Sequence, residues 1–274
     1  DAGINFAAST VRGALSATAT TGNMTDSGAL TVSGTSTFVT IANDATITLD
    51  QGGHAFTGAL LITTNDTSTD TAGDVTISAG SGAVLDFGNS TIDGDLIATS
   101  SNTTGITDSG AMTVRGTASF RTTAANADIS LGTSTLGDGT GTDTITLNTT
   151  GSGGDATLDN GTTAVALGTS AASLVTSVGG DLTLTSGAAA GITDSATVTV
   201  GGNLIATTDA NSGVIDLGTL AVDGTMALVT HNNGAASVVN DAGLNFAAST
   251  VGGALSATAT TGNITQSGAL AITG

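Results

Sequence analysis

Residues 1–34, DAGINFAASTVRGALSATATTGNMTDSGALTVSG, recur at 241–274 as DAGLNFAASTVGGALSATATTGNITQSGALAITG, with 27 of 34 positions identical at an offset of 240. Repeated sequence asks for repeated geometry, so residues 1–240 read as one super-repeat and 241–274 as the start of the next. On this reading the chain is a window in a longer array. The seven differences show which side chains face inward. Ile4 is matched by Leu244, Met24 by Ile264 and Val32 by Ile272, apolar for apolar, whereas Arg12 is matched by Gly252, Asp26 by Gln266 and Thr31 by Ala271. Leu30 and Val32 therefore point to a core and Thr31 to water, the period-two alternation of a strand.

Within the super-repeat a shorter unit appears three times. It is marked by GNMTDSGALTVSG (22–34), TGITDSGAMTVRG (104–116) and AGITDSATVTVGG (190–202), and it divides the chain at about 13–93, 94–179 and 180–252. The motif aspartates, Asp26, Asp108 and Asp194, lie 82 and 86 residues apart, with Gln266 another 72 on. Unequal lengths with a constant motif indicate loops of variable size on a constant scaffold. The local pattern is strands of three to five residues, such as Thr46-Ile47-Thr48-Leu49 and Thr144-Ile145-Thr146-Leu147, punctuated by Gly, Asn, Asp and Ser. Strands this short are not stable as isolated hairpins, but stacking coil on coil pairs each with neighbours above and below.

The predicted fold is therefore all-β: one continuous parallel β-helix, or β-solenoid, over 1–274. Its coils should hold about 20 residues, four to a unit, and unequal coils favour the right-handed type. At ~4.8 Å per coil the super-repeat would be a rod about 58 Å long. The predicted interior contains Leu30, Val32, Ile47, Leu49, Met112, Val114, Ile129, Leu131, Val198 and Val200. A whole number of coils per unit would place Asp26, Asp108 and Asp194 along one edge.

Composition agrees and excludes several functions. Glycine (41 residues) and threonine (about a fifth) dominate, Pro, Cys, Trp, Tyr, Lys and Glu are absent, and all 22 acidic residues are Asp. Helix-building residues of the Glu/Lys/Arg type are replaced by β-branched residues and turn formers. Hydrophobic residues at 39% supply enough apolar surface to order the chain. A net charge of −19, with Arg12, Arg115 and Arg121 as the cations and no aromatic platforms, repels nucleic acid. Without cysteine there is neither a disulfide framework nor a thiolate metal site. No apolar run approaches the ~18 residues of a membrane helix.

Phrases such as GALTVSG, GDLTLTSG, GITDSGAMTVRG and ADISLG resemble the repeat regions of filamentous haemagglutinin-like proteins and other giant repetitive bacterial exoproteins, exported by two-partner or autotransporter routes. The resemblance covers the whole chain through composition and loose strand-turn phrases. It implies a β-helical shaft at the bacterial surface or in extracellular matrix, structural and adhesive rather than catalytic. Its implied partners are copies of itself or its own continuation end to end, lateral fibre contacts, and cell-surface or polysaccharide ligands.

Each candidate site also has a plain structural reading. The Thr-Asp-Ser triplets at 25–27, 107–109 and 193–195 read as turns whose side chains bond nearby backbone N–H groups, since the fourth copy carries Gln266. Carbohydrate-active β-helices form the alternative class. They need convergent carboxylates, for which Asp93 with Asp95 and Asp155 with Asp159 are the nearest pairs, but no Lys, Tyr, Trp or Glu accompanies them. His54 and His231, the only histidines, read as turn residues. The reading requires no cofactor. Calcium is the candidate ion, because Gly139-Thr140-Gly141-Thr142-Asp143-Thr144-Ile145-Thr146 matches the core of calcium-binding β-roll repeats; a second G-x-G-x-D at 151–155 comes twelve rather than nine residues on. The metal candidates are thus Asp138, Asp143 and Asp155. Thr-x-Thr triplets such as Thr183/Thr185 are too irregularly spaced for an ice-binding face and read as outward strand threonines.

Overall fold

The computed structural model describes residues 3–65, 72–132, 134–137, 143–169 and 173–274. It is a parallel β-solenoid of about 12 turns with ~22 residues per turn and no helix among the described residues. Among these residues no helix is therefore long and apolar enough to cross a membrane. All strand pairings are parallel, and residues partnered between adjacent coils lie from 19 apart (Ala236 with Leu255) to 29 apart (Asn148 with Ser177). Coils are thus slightly longer than the expected 20 residues, because corner loops differ in length.

Each coil has two unlike halves. One is a long strand of about five residues, such as Leu15–Ala19, Ser36–Thr40, Val75–Ala79 or Leu96–Ser100. The other is a pair of short strands joined by a corner, such as Ile4–Phe6 with Ser9–Val11, or Leu85–Phe87 with Ser90–Ile92. The halves alternate along the chain and build two walls that meet over one core. Phe6 and Phe38 touch across it edge to face at 5.6 Å, as do Phe87 and Phe120 at 6.4 Å. All ten residues predicted inside are buried, with at most 1% exposure, while Thr31 is exposed.

The coil count per unit differs from expectation. Two long strands follow one another at three places: Leu60–Thr63 then Val75–Ala79, Ile145–Thr150 then Ala156–Asp159, and Met226–His231 then Ala236–Asn240. Each such junction inserts half a coil and moves the short pairs to the other wall. Asp26 accordingly sits in the wall of Ile4–Phe6 and Ile47–Phe56, Asp108 in the opposite wall with Leu85–Phe87 and Asp128–Leu131, and Asp194 back in the first. The expected single edge of aspartates is thus wrong. A unit holds about three and a half coils rather than four, and the 240-residue super-repeat about ten and a half, so Ile4 and its copy Leu244 lie in opposite walls.

Core packing sets the first expected outcome. Phe38 is fully buried between Phe6 and Phe56. Phe38→Ala should cost about 3–5 kcal/mol in urea denaturation, whereas Thr31→Ala, on the solvent face, should stay within about 0.5 kcal/mol.

Candidate functional site

Among the described residues the distinctive polar groups lie at corners and half-coil junctions rather than in a cleft. At the corners, the fifth residue of a long strand turns inward and is often Thr. Thr40 Oγ1 donates to Ala45 O (3.1 Å), Thr122 to Ala127 O (2.9 Å) and Thr208 to Gly213 O (2.9 Å). Four residues after each Thr the chain adopts the left-handed region, at Asp44 (φ 62°), Asn126 (φ 60°) and Ser212 (φ 62°). Asn and Asp tolerate that conformation better than other non-glycine residues, so the turn-forming composition has a local cause.

A second corner carries a side-chain ladder. Asp128 Oδ1 accepts the N–H of Asp155 (2.9 Å), Asp155 Oδ1 that of Asp181 (2.8 Å), Asp181 Oδ1 that of Asn203 (2.7 Å), and Asn203 Oδ1 that of Thr225 (2.9 Å). Asp74 and Asp95 do the same for Asp95 and Thr117. Burial raises the Asp95 carboxyl above the usual carboxylate range; the N–H of Thr117 opposes that shift and the Asp74 charge adds to it. The motif aspartates form a third set. Asp26 accepts from the amides of Asp50 and Gln51, Asp108 from Gly132 N–H and Ser134 Oγ, and Asp194 from the amides of Gly218 and Thr219. These bonds, expected within the turn, reach instead to the next coil, 24 or more residues away.

The junctions pose a backbone problem. Where a long strand lies under a short pair, the corner of the pair bends away and leaves an amide in the middle of the long strand without a carbonyl. A buried hydroxyl replaces it each time: Ile62 N–H donates to Ser90 Oγ (3.1 Å), Leu147 N–H to Thr176 Oγ1 (3.3 Å) and Leu228 N–H to Ser249 Oγ (3.1 Å). The last inward residue of the same long strands, Thr64, Thr149 or Thr230, accepts an N–H at 3.0 Å from Asp93, Gly179 or Gly252 in the coil above. On the other wall, Asn160 accepts from Leu136 N–H and donates to Leu136 O, and Asn240 treats Val222 in the same way. An unpaired buried amide costs about 1–3 kcal/mol, which is why polar side chains are tolerated inside. Sequence reasoning missed this set; its signal was the recurrence of Ser/Thr at 90, 176 and 249 and of Thr at 64, 149 and 230.

Of the two histidines expected in turns, His231 ends a strand and is exposed, whereas His54 departs from that expectation and is fully buried within the strand Ile47–Phe56. Its Nδ1 accepts Leu30 N–H (2.8 Å), its Nε2 lies 2.9 Å from Asp26 Oδ2, and its ring stacks on Phe56 at 5.4 Å. The inward parity it shares with Phe56 was the available sign. Asp93 pairs with Arg115 Nη1 at 2.8 Å, and Asp159 accepts Gly161 N–H within its own turn. The members of the two proposed carboxylate pairs, 93 with 95 and 155 with 159, are thus each engaged in separate structural contacts. Of the metal candidates, Asp138 lies outside the described residues. Asp143 borders a cavity of about 110 Å³ with Leu136, Ala166 and Thr193, and Asp155 belongs to the corner ladder. Among the described residues no three His, Cys, Asp or Glu side chains are grouped to hold a metal ion.

A family model described as repeats of unknown function (DUF5649) matches residues 1–63, 72–135 and 233–274, more than half of the chain. No curated protein and no solved structure matches it significantly.

The junctions yield an expected outcome of their own. Asn160→Leu leaves the buried N–H and C=O of Leu136 unpaired and should cost about 2–4 kcal/mol, whereas Thr199→Ala on the exposed side of a strand should be nearly neutral. Urea midpoints of the two variants check this.

Proposed function

We propose that this chain, which belongs to the family of repeats of unknown function (DUF5649), is a shaft segment of a long secreted bacterial surface or matrix protein, stiff along its axis and adhesive along its sides. The observation that carries this reading is the parallel pairing of coil to coil over about 12 turns, which turns the backbone itself into the long axis of a rod. Such a solenoid grows by adding coils, so length is set by repeat number and needs no new core. Corner ladders and junction hydroxyls engage the polar interior in joining coils, which suits a mechanical role.

Because each unit turns by half a coil, successive units offer the same outward motif from alternate walls. Thr31, Thr113 and Thr199 occupy matching positions, and their strands belong in turn to the first wall, the second and the first. A shaft with this phase can touch neighbours or a cell surface on two sides. Lateral contacts between copies and attachment to surface polysaccharide follow as its adhesive partners. The resemblance to filamentous haemagglutinin-like repeats supports the extracellular setting, and the absence of cysteine fits a rod stabilised by ladders alone. The carbohydrate-active alternative is less well supported, since the candidate carboxylates already serve backbone amides or ion pairs.

Small-angle scattering of the chain should give a rod about 58 Å long, from ~4.8 Å per coil. Beads coated with it should bind polysaccharide-bearing cells, and replacing outward strand threonines by Asp on both walls should abolish retention without lowering the melting temperature. A compact particle would remove the shaft; equal retention by the substituted chain would remove the adhesive sides.

A further inference from the structure

Of the three aspartate clamps that hold one coil to the next, one contains a titratable partner inside the core. Asp108 grips Gly132 and Ser134, Asp194 grips Gly218 and Thr219, and these partners offer only amides and hydroxyls. Asp26 grips the amides of Asp50 and Gln51 and faces His54, whose side chain is 0% exposed. Because Leu30 N–H points into Nδ1, that nitrogen must carry a lone pair, and the single ring proton is held on Nε2 toward Asp26. A second proton would have to sit on Nδ1, where it would meet the Leu30 N–H head on.

We infer that His54 is an acid-sensitive latch, and that its protonation releases the coil containing Leu30–Val32 from the coil containing Ile47–Phe56. Geometry makes the switch local. His54 accepts Leu30 N–H and lies against Asp26 below, pairs above with Ala79, and stacks on Phe56, so losing its acceptor role breaks the seam at one corner of one wall. The charged groups facing it are Asp26 and Asp50, both of which favour the imidazolium; desolvation outweighs them and lowers the His54 pKa below its usual value. The sign follows from linkage. Proton uptake is weaker in the closed seam than in the open one, so closure is fully favoured above the ordinary histidine pKa of about 6.5 and weakens as pH falls below it. A shaft bearing such a latch would loosen at one joint in mildly acidic surroundings while its other clamps held.

The test is hydrogen exchange by mass spectrometry on the intact chain at pH 7.5 and pH 5, corrected for the intrinsic pH dependence of exchange. Protection over 26–32 and 47–56 should fall on the order of tenfold at pH 5 relative to 106–114 and 128–136, which carry the hydroxyl version of the clamp. His54→Ser, which copies Ser134, should make the two regions respond alike to pH even if both are less protected overall. NMR titration of His54 gives a second readout, with a midpoint below the ordinary histidine value of about 6.5 expected. Equal loss of protection in both regions of the native chain, a persistent difference in His54→Ser, or a His54 midpoint at or above about 6.5 would overturn the latch.

Discussion

A parallel solenoid must give every strand amide a carbonyl in the next coil, and this chain meets that demand with coils whose halves do not match. A five-residue strand stacks cleanly on another of its kind, and a bent pair on another pair. The two cannot stack on each other without stranding an amide at the bend. At the half-coil junctions side chains resolve that mismatch: Ser90, Thr176 and Ser249 above the first long strand of each, and Asn160 and Asn240 on the opposite wall of the second and third. The repeat length, the buried polar residues and the alternation of faces are one phenomenon seen from three sides.

The acidic composition acquires a structural meaning here. All 22 acidic residues are Asp, and many of them sit where an oxygen two bonds beyond Cβ reaches an amide on the following coil. Glutamate would place its oxygens one carbon farther and lose more side-chain freedom in making the same bond. Asparagine serves interchangeably, as Asn23, Asn89 and Asn203 show by accepting from Thr46, Ala111 and Thr225. A charge of −19 is thus partly a by-product of corner chemistry, and it also keeps neighbouring rods from associating indiscriminately.

Phase alternation also shapes what an array of these units can do. A whole number of coils per unit would stack every repeated motif on one side and build a single-faced ribbon. Half a coil more produces two sides with the same vocabulary: the motif returns to its own wall after two units, and its near-identical super-repeat copy after two super-repeats. For a surface fibre that arrangement permits contact on both flanks without a second kind of repeat.

The sequence by itself determined the class of fold, the period and the inward residues. Apolar-for-apolar exchange between 1–34 and 241–274 and alternation around Leu30, Met112 and Val198 depend on local pleat and on water, and both are visible along one chain. What only the tertiary structure decided was the phase. Whether 82 or 86 residues close three and a half coils or four depends on how each corner loop folds, and a loop of three residues or nine leaves the same strand phrases in place. For that reason Asp26 and Asp108 looked like neighbours on one edge and lie on opposite walls. The polar interior was hidden for the same reason: Ser90, Asn160 and His54 are ordinary turn residues by composition, and become core residues only where a coil above or below leaves an amide that nothing else can reach.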